Sequence, residues 1–152
     1  MNKLEQLANE QKQLDNQVWG TFLEELKLIF EENPQVESFS TPAYANYFND
    51  GDSTPWYLHS DMSRMELIDE VENEEDDEDE DDYDDQIYCE VRKYTKVNGE
   101  YTYVLPDKYK PLERYVNLLD QVPDRHFEKL CEDGKIIFHR DGSITIGDYR
   151  HD

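Results

Sequence analysis

The sequence predicts an α+β protein: one long leading helix, an antiparallel sheet built from hairpins, and two short helices before the last hairpin. Two observations carry this. Apolar residues in the first 32 positions recur in steps of three and four, and further on the period changes and Asx-Gly pairs punctuate strand-like runs. At 152 residues the chain is long enough for one such domain, spanning 1–152.

Residues 2–32 read as one helix. Leu4, Leu7, Leu14, Val18, Phe22, Leu26, Ile29 and Phe30 share a face, and Asn33-Pro34 ends the run because proline disfavours helical geometry in the residue before it. A helix of this length reaches about 46 Å, so its Gln- and Asn-rich first half should project. Leu4, Leu7, Leu14 and Val18 are the candidate seam of a homo-oligomer, with Gln11 interrupting the stripe.

Four of the six glycines follow Asp or Asn: Asp50-Gly51, Asn98-Gly99, Asp133-Gly134 and Asp141-Gly142. Asx-Gly readily takes positive φ at both central positions of a type I′ turn, which suits a two-residue hairpin. The first hairpin is expected to join "AYANYF" to "TPWYLH" and the second "QIYCEVRKYTKV" to "EYTYVL", with Ile87, Cys89 and Val91 alternating with Tyr88, Glu90 and Arg92. The third joins "KIIFHR" to "SITIGDY", with Ile136 and Phe138 on the side of Ile144 and Ile146. Between the second and third, Leu112, Tyr115, Val116 and Leu119 predict a helix over 111–121; Phe127, Leu130 and Cys131 predict another over 124–132, closed by a left-handed Gly134. The helices are expected on one face of the sheet.

Charge is the unusual property. Formal net charge is −23, and residues 66–85, "ELIDEVENEEDDEDEDDYDD", hold 15 of the 38 acids and no Lys or Arg, leaving about −8 on the other 132 residues. Like charges this dense resist compaction, so 66–85 is expected to be a disordered insertion in an otherwise ordinary acidic domain. The charge disfavours direct contact with nucleic acid or an anionic membrane and favours basic partners. Glu74, Glu75, Asp76, Asp77, Glu78, Asp79, Glu80, Asp81, Asp82, Asp84 and Asp85 are the candidate partner-binding carboxylates, with Trp56 and Tyr57 as aromatic contacts. The same carboxylates could hold divalent cations weakly and without fixed geometry.

Catalytic and cofactor chemistry find little footing. If Gly51 is taken as the sixth position of a calcium loop, Phe48 falls third and Tyr57 twelfth; phenylalanine cannot ligate, so "NDGDS" reads as a hairpin tip. "HRD" at His139-Arg140-Asp141 lacks every other kinase element and reads as a strand entering a turn. The four histidines share no ligand spacing, neither Cys89 nor Cys131 sits beside a histidine, and no glycine loop could cradle phosphate. No cofactor and no enzyme activity are expected. Two cysteines do not make a disulfide scaffold, and no stretch is apolar enough for a signal or membrane segment, so a cytoplasmic location is expected. Eleven tyrosines, eight of them on or beside expected strands, suggest half-buried sheet positions or a contact surface.

"FEENPQVESFS", "YANYFNDGDSTPWYLH" and "HRDGSITIGDYRHD" resemble stretches of small uncharacterised accessory proteins of tailed bacteriophages. The specific part is "YFNDGD", Tyr47 to Asp52; the matching stretches cover about a third of the chain, and Thr41-Pro42-Ala43 departs from the bulkier residues of that pattern. The resemblance brings no catalytic residues. It implies a phage-encoded accessory factor acting in the infected cell, in the host cytoplasm. With the acidic run, the expected function is a non-enzymatic binding factor, with anti-defence activity through a basic host protein as its concrete form. A self-assembling scaffold built on the N-terminal helix is the alternative.

Overall fold

The computed structural model describes residues 2–45, 56–68 and 87–149. Helix α1 runs from Lys3 to Glu32, with the Asn2 side chain accepting from the Glu5 amide at 2.8 Å as N-cap. Then follow β1 (Val36–Ala45), β2 (Trp56–Leu58), a 3₁₀ turn (Ser60–Met62), β3 (Arg64–Leu67), a single helical turn α2 (Tyr88–Val91), β4 (Lys93–Val97), β5 (Glu100–Val104), α3 (Lys110–Asp120), α4 (Arg125–Glu128), β6 (Gly134–His139) and β7 (Ile144–Gly147).

β1 is the centre of the main sheet. One edge pairs antiparallel with β6, which pairs with β7; the other edge pairs first with β3 and then, further along, with β2. β2 and β3 therefore act as one edge strand interrupted by the 3₁₀ turn, and Pro42 explains the interruption. The Arg140 amide donates to the Glu37 carbonyl, in register with Ser38↔His139, so alternation along the antiparallel ladder turns the residue-42 backbone away from β6 and towards His59. There the His59 amide donates to the Pro42 carbonyl at 2.9 Å, but proline has no N–H to return. The His59 carbonyl accepts instead from Met62 at 3.0 Å, which starts the 3₁₀ turn.

The helices cover one face of this sheet. Phe39, Thr41 and Ala43 of β1 and Ile136 and Phe138 of β6 are almost wholly buried beneath them. From α1, Phe30 packs on Phe39 and Phe22 on Phe138; from α3, Tyr115 stacks on Phe39 with centroids 4.5 Å apart; from α4, Phe127 meets Phe22 edge-on. Inside this aromatic core, Thr41 Oγ1 lies 2.7 Å from Ser63 Oγ and 2.6 Å from the Tyr115 hydroxyl, so three buried hydroxyls satisfy one another.

The α+β class, the long helix, the antiparallel sheet and the two later helices are as expected. The projecting half of α1 is also present: Leu4, Leu7 and Leu14 are 77%, 60% and 54% exposed. The third hairpin has Ile136 opposite Ile146 and Phe138 opposite Ile144. Its turn differs from type I′: Gly142 alone has positive φ, and the Asp141 carboxylate accepts from both the amide and the hydroxyl of Ser143.

Several expectations are corrected. Residues 88–91 form a helical turn rather than a strand, because burying Tyr88 and Val91 together needs helical spacing, and the Tyr88 amide is engaged by the Ser63 carbonyl. The second hairpin forms its own two-stranded sheet, β4–β5, off the main one. The second short helix covers Arg125–Glu128 rather than 124–132. Gly134 opens β6 instead of capping a helix; its φ is 153°, and a Cβ there would lie 2.4 Å from the Gly147 carbonyl oxygen. Glu66 and Leu67, expected within the acidic insertion, belong to β3. The tip of the first hairpin, Asp50-Gly51, and the acidic residues 69–85 lie outside the described residues, although Ala45 opposite Trp56 shows that the two flanks pair.

Candidate binding surface

An exposed strand, β5, pairs with β4 in a two-stranded ribbon. Asn98 and Gly99 both take positive φ, 53° and 85°, the type I′ geometry that Asx-Gly favours. Every residue of β5 is exposed. Tyr101 and Tyr103 alternate onto one face and are 61% and 62% exposed, although large aromatics usually bury themselves when a core is within reach.

Two cations beside the ribbon, Arg92 and Lys96, lie against aromatic rings. The Arg92 guanidinium lies 4.7 Å from the Tyr88 ring centroid and 5.0 Å from that of Tyr103, and the Lys96 ammonium 5.8 Å from that of Tyr101. Tyr88 belongs to the main core, so Arg92 is the hinge between buried body and exposed ribbon. In sequence the ribbon follows the acidic residues 69–85 with only a few positions between them.

A second aromatic group lies near the interrupted edge. Tyr44 stacks on His59 with centroids 3.9 Å apart, Tyr149 stacks on Tyr44 at 5.7 Å, and Tyr57 meets His59 edge-on at 6.5 Å. Burial, with Asp61 nearby, pushes the Tyr44 hydroxyl above its ordinary pKa, and burial does the same to Tyr149.

The two aromatic candidates from sequence divide. Trp56 is half-buried and its Nε1 donates to the Cys131 carbonyl at 3.1 Å, so its polar edge is engaged within the fold. Tyr57, on edge strand β2, is 48% exposed. The carboxylates Glu74 to Asp85 lie outside the described residues. Of the seam residues, Leu4, Leu7 and Leu14 are exposed, while Val18 is half-buried against the core.

His139, Arg140 and Asp141 take structural roles. The Arg140 guanidinium donates to the carbonyls of Val36 (2.7 Å) and Asn33 and lies over the Phe30 ring, tying the α1–β1 link to the β6–β7 turn. It borders a cleft of about 310 Å³ between α1 and that turn, also lined by Leu23, Lys27 and Ser143. Among the described residues, no group of three or more His, Cys, Asp or Glu stands together as a metal site would require. No described helix is long and apolar enough to cross a membrane.

Sequence reasoning missed His59, Tyr149 and Arg92 as partners of the tyrosines. Only the place of Arg92, directly ahead of the ribbon, hinted at its role. Comparison of the chain with protein-family models, with curated proteins and with solved structures finds no match. The likeness to tailed-phage proteins therefore rests on the sequence blocks alone.

Proposed function

We propose that this chain is a non-enzymatic binding protein that attaches to a basic partner protein, with the acidic residues 69–85 supplying attraction and the ribbon tyrosines supplying contact area. The observation that carries this is the exposure of β5: two large aromatics, Tyr101 and Tyr103, largely exposed on a strand with every residue exposed. Tyrosine gives large, stiff, amphipathic area at low entropic cost. The carboxylates act at longer range, raising the rate of encounter. The phage resemblance gives the reading its concrete form: an accessory factor that occupies the basic groove of a nucleic-acid-handling host protein, in the host cytoplasm.

The test is capture from host lysate on the immobilised full chain, eluted with a salt gradient, beside two variants. One replaces 69–85 by Gly/Ser of equal length and the other is Tyr101→Ala with Tyr103→Ala. A basic protein retained by the parent, released only at raised salt and lost from both variants supports the proposal. Equal retention by all three chains overturns it.

A further inference from the structure

Helix α1 outruns the domain it covers. Its buried residues begin at Phe22, and ahead of them Leu4, Leu7, Gln11, Leu14 and Val18 alternate in steps of three and four, the spacing of a helix–helix seam. Where this stripe reaches the body, α1 and α3 leave a groove of about 430 Å³. Leu14, Val18, Leu118 and Val122 form its walls, and Thr21 and Glu25 lie along it towards the far end. Stripe and groove are continuous, because Leu14 and Val18 belong to both.

We infer that the occupant of this groove is α1 of a second copy of the chain, lying antiparallel, so that Leu4 and Leu7 of each copy enter the groove of the other. Charge selects the copy and the place. At −23, two chains repel over most approaches, yet the projecting half of α1 carries Lys3 and Lys12 against Glu5, Glu10 and Asp15. Asp15 is already paired with Arg125 at 2.6 Å, so this segment is close to neutral. It is where like-charged copies can meet at least cost.

Register supplies the complementarity. With the second helix reversed and Leu7 opposite Val18, Leu4 falls opposite Thr21 and Lys3 comes within a turn of Glu25, both of them exposed. A two-fold axis repeats each of these contacts, because knob and groove lie on the same element, and the assembly closes at two copies. The overlap from Leu4 to Thr21 is about 27 Å of helix. A contact of that length belongs at the low end of specific interfaces, so the dimer should dissociate on dilution.

The test is sedimentation of the full chain from about 1 to 200 μM, the range over which a modest interface dissociates. A rise in mass from one copy to two is expected. Leu7→Lys on the stripe and Leu118→Lys on the groove wall should each raise the midpoint concentration at least about tenfold, equivalent to 1.4 kcal/mol, with unchanged far-ultraviolet dichroism. Lys3→Glu should weaken the dimer, and adding Glu25→Lys should restore it. A monomer throughout, an assembly larger than two, or a dimer indifferent to both lysine variants overturns the inference. A charge swap that recovers nothing overturns the antiparallel register.

Discussion

The Tyr115 hydroxyl of α3 sits 2.6 Å from Thr41 Oγ1 of β1, with both residues fully buried. Thr41 in turn reaches Ser63, so one small hydroxyl holds together a helix, the central strand and the approach to β3. The hydrophobic surroundings push the Tyr115 hydroxyl well above the ordinary tyrosine range, so it stays neutral. Thr41→Val strands two buried hydroxyls and Tyr115→Phe only part of one pairing. Urea unfolding should therefore show a loss of about 2–4 kcal/mol for the first and about 1–2 kcal/mol for the second.

Arg140→Met removes the guanidinium from over the Phe30 ring and leaves the carbonyls of Asn33 and Val36 without their charged donor. A loss of about 2–4 kcal/mol is expected, since hydrogen bonds to a charged group contribute more than neutral ones. Thermal unfolding of the two proteins side by side checks it.

Gly20 lies within α1, and a Cβ placed there meets nothing within 4 Å. Gly20→Ala should stabilise the fold by about 0.5–1 kcal/mol by narrowing the unfolded ensemble. Chemical denaturation measures the gain directly.

The Asp15 carboxyl is held below its usual 3.8, first by the Arg125 hydrogen bond, and that of Asp141 is held below it by the Ser143 hydroxyl and amide. Folded values below unfolded ones mean the contribution is present above about pH 3.8 and is lost as pH falls through the lowered values. Arg125→Ala should make the acid limb of the stability–pH curve shallower, measured by denaturant titrations between about pH 5 and 2.

Of the two thiols, Cys89 is exposed, whereas Cys131 is buried with its Sγ 3.9 Å from the Ala43 carbonyl oxygen. Burial pushes the Cys131 thiol up, so its thiolate is scarce at pH 8. A disulfide reagent should titrate one thiol in the native chain and both in denaturant. Rapid reaction of two in the native chain would contradict the packing of Cys131 under β1.

Features governed by neighbours along the chain were legible in the sequence. The stripe of α1, the Asn98-Gly99 turn and the pairing of β6 with β7 all follow from local period and turn chemistry. What escaped depended on distant partners. Ile87, Cys89 and Val91 alternate as a strand does, but 87 and 91 are also one helical turn apart, and it is Ser63 that engages the Tyr88 amide. Gly134 looks like a helix cap until Gly147 is brought against it. The break at His59 needs Pro42 to be its neighbour, and the α1–α3 groove takes Leu118 and Val122 from far along the chain. The ribbon's detachment was equally hidden, because its local pattern does not say which sheet a hairpin joins.

Because β1 is paired along both edges, the main sheet cannot form until residues roughly a hundred positions apart, Phe39 and Phe138, have met. The acidic run, 69–85, lies in the chain between those two partners, so its mutual repulsion swells the unfolded loop that has to close. Added salt screens that repulsion, and its effect should fall on the refolding rate far more than on the unfolding rate. The same carboxylates are thus expected to act on the rate of folding, apart from any role in the finished protein.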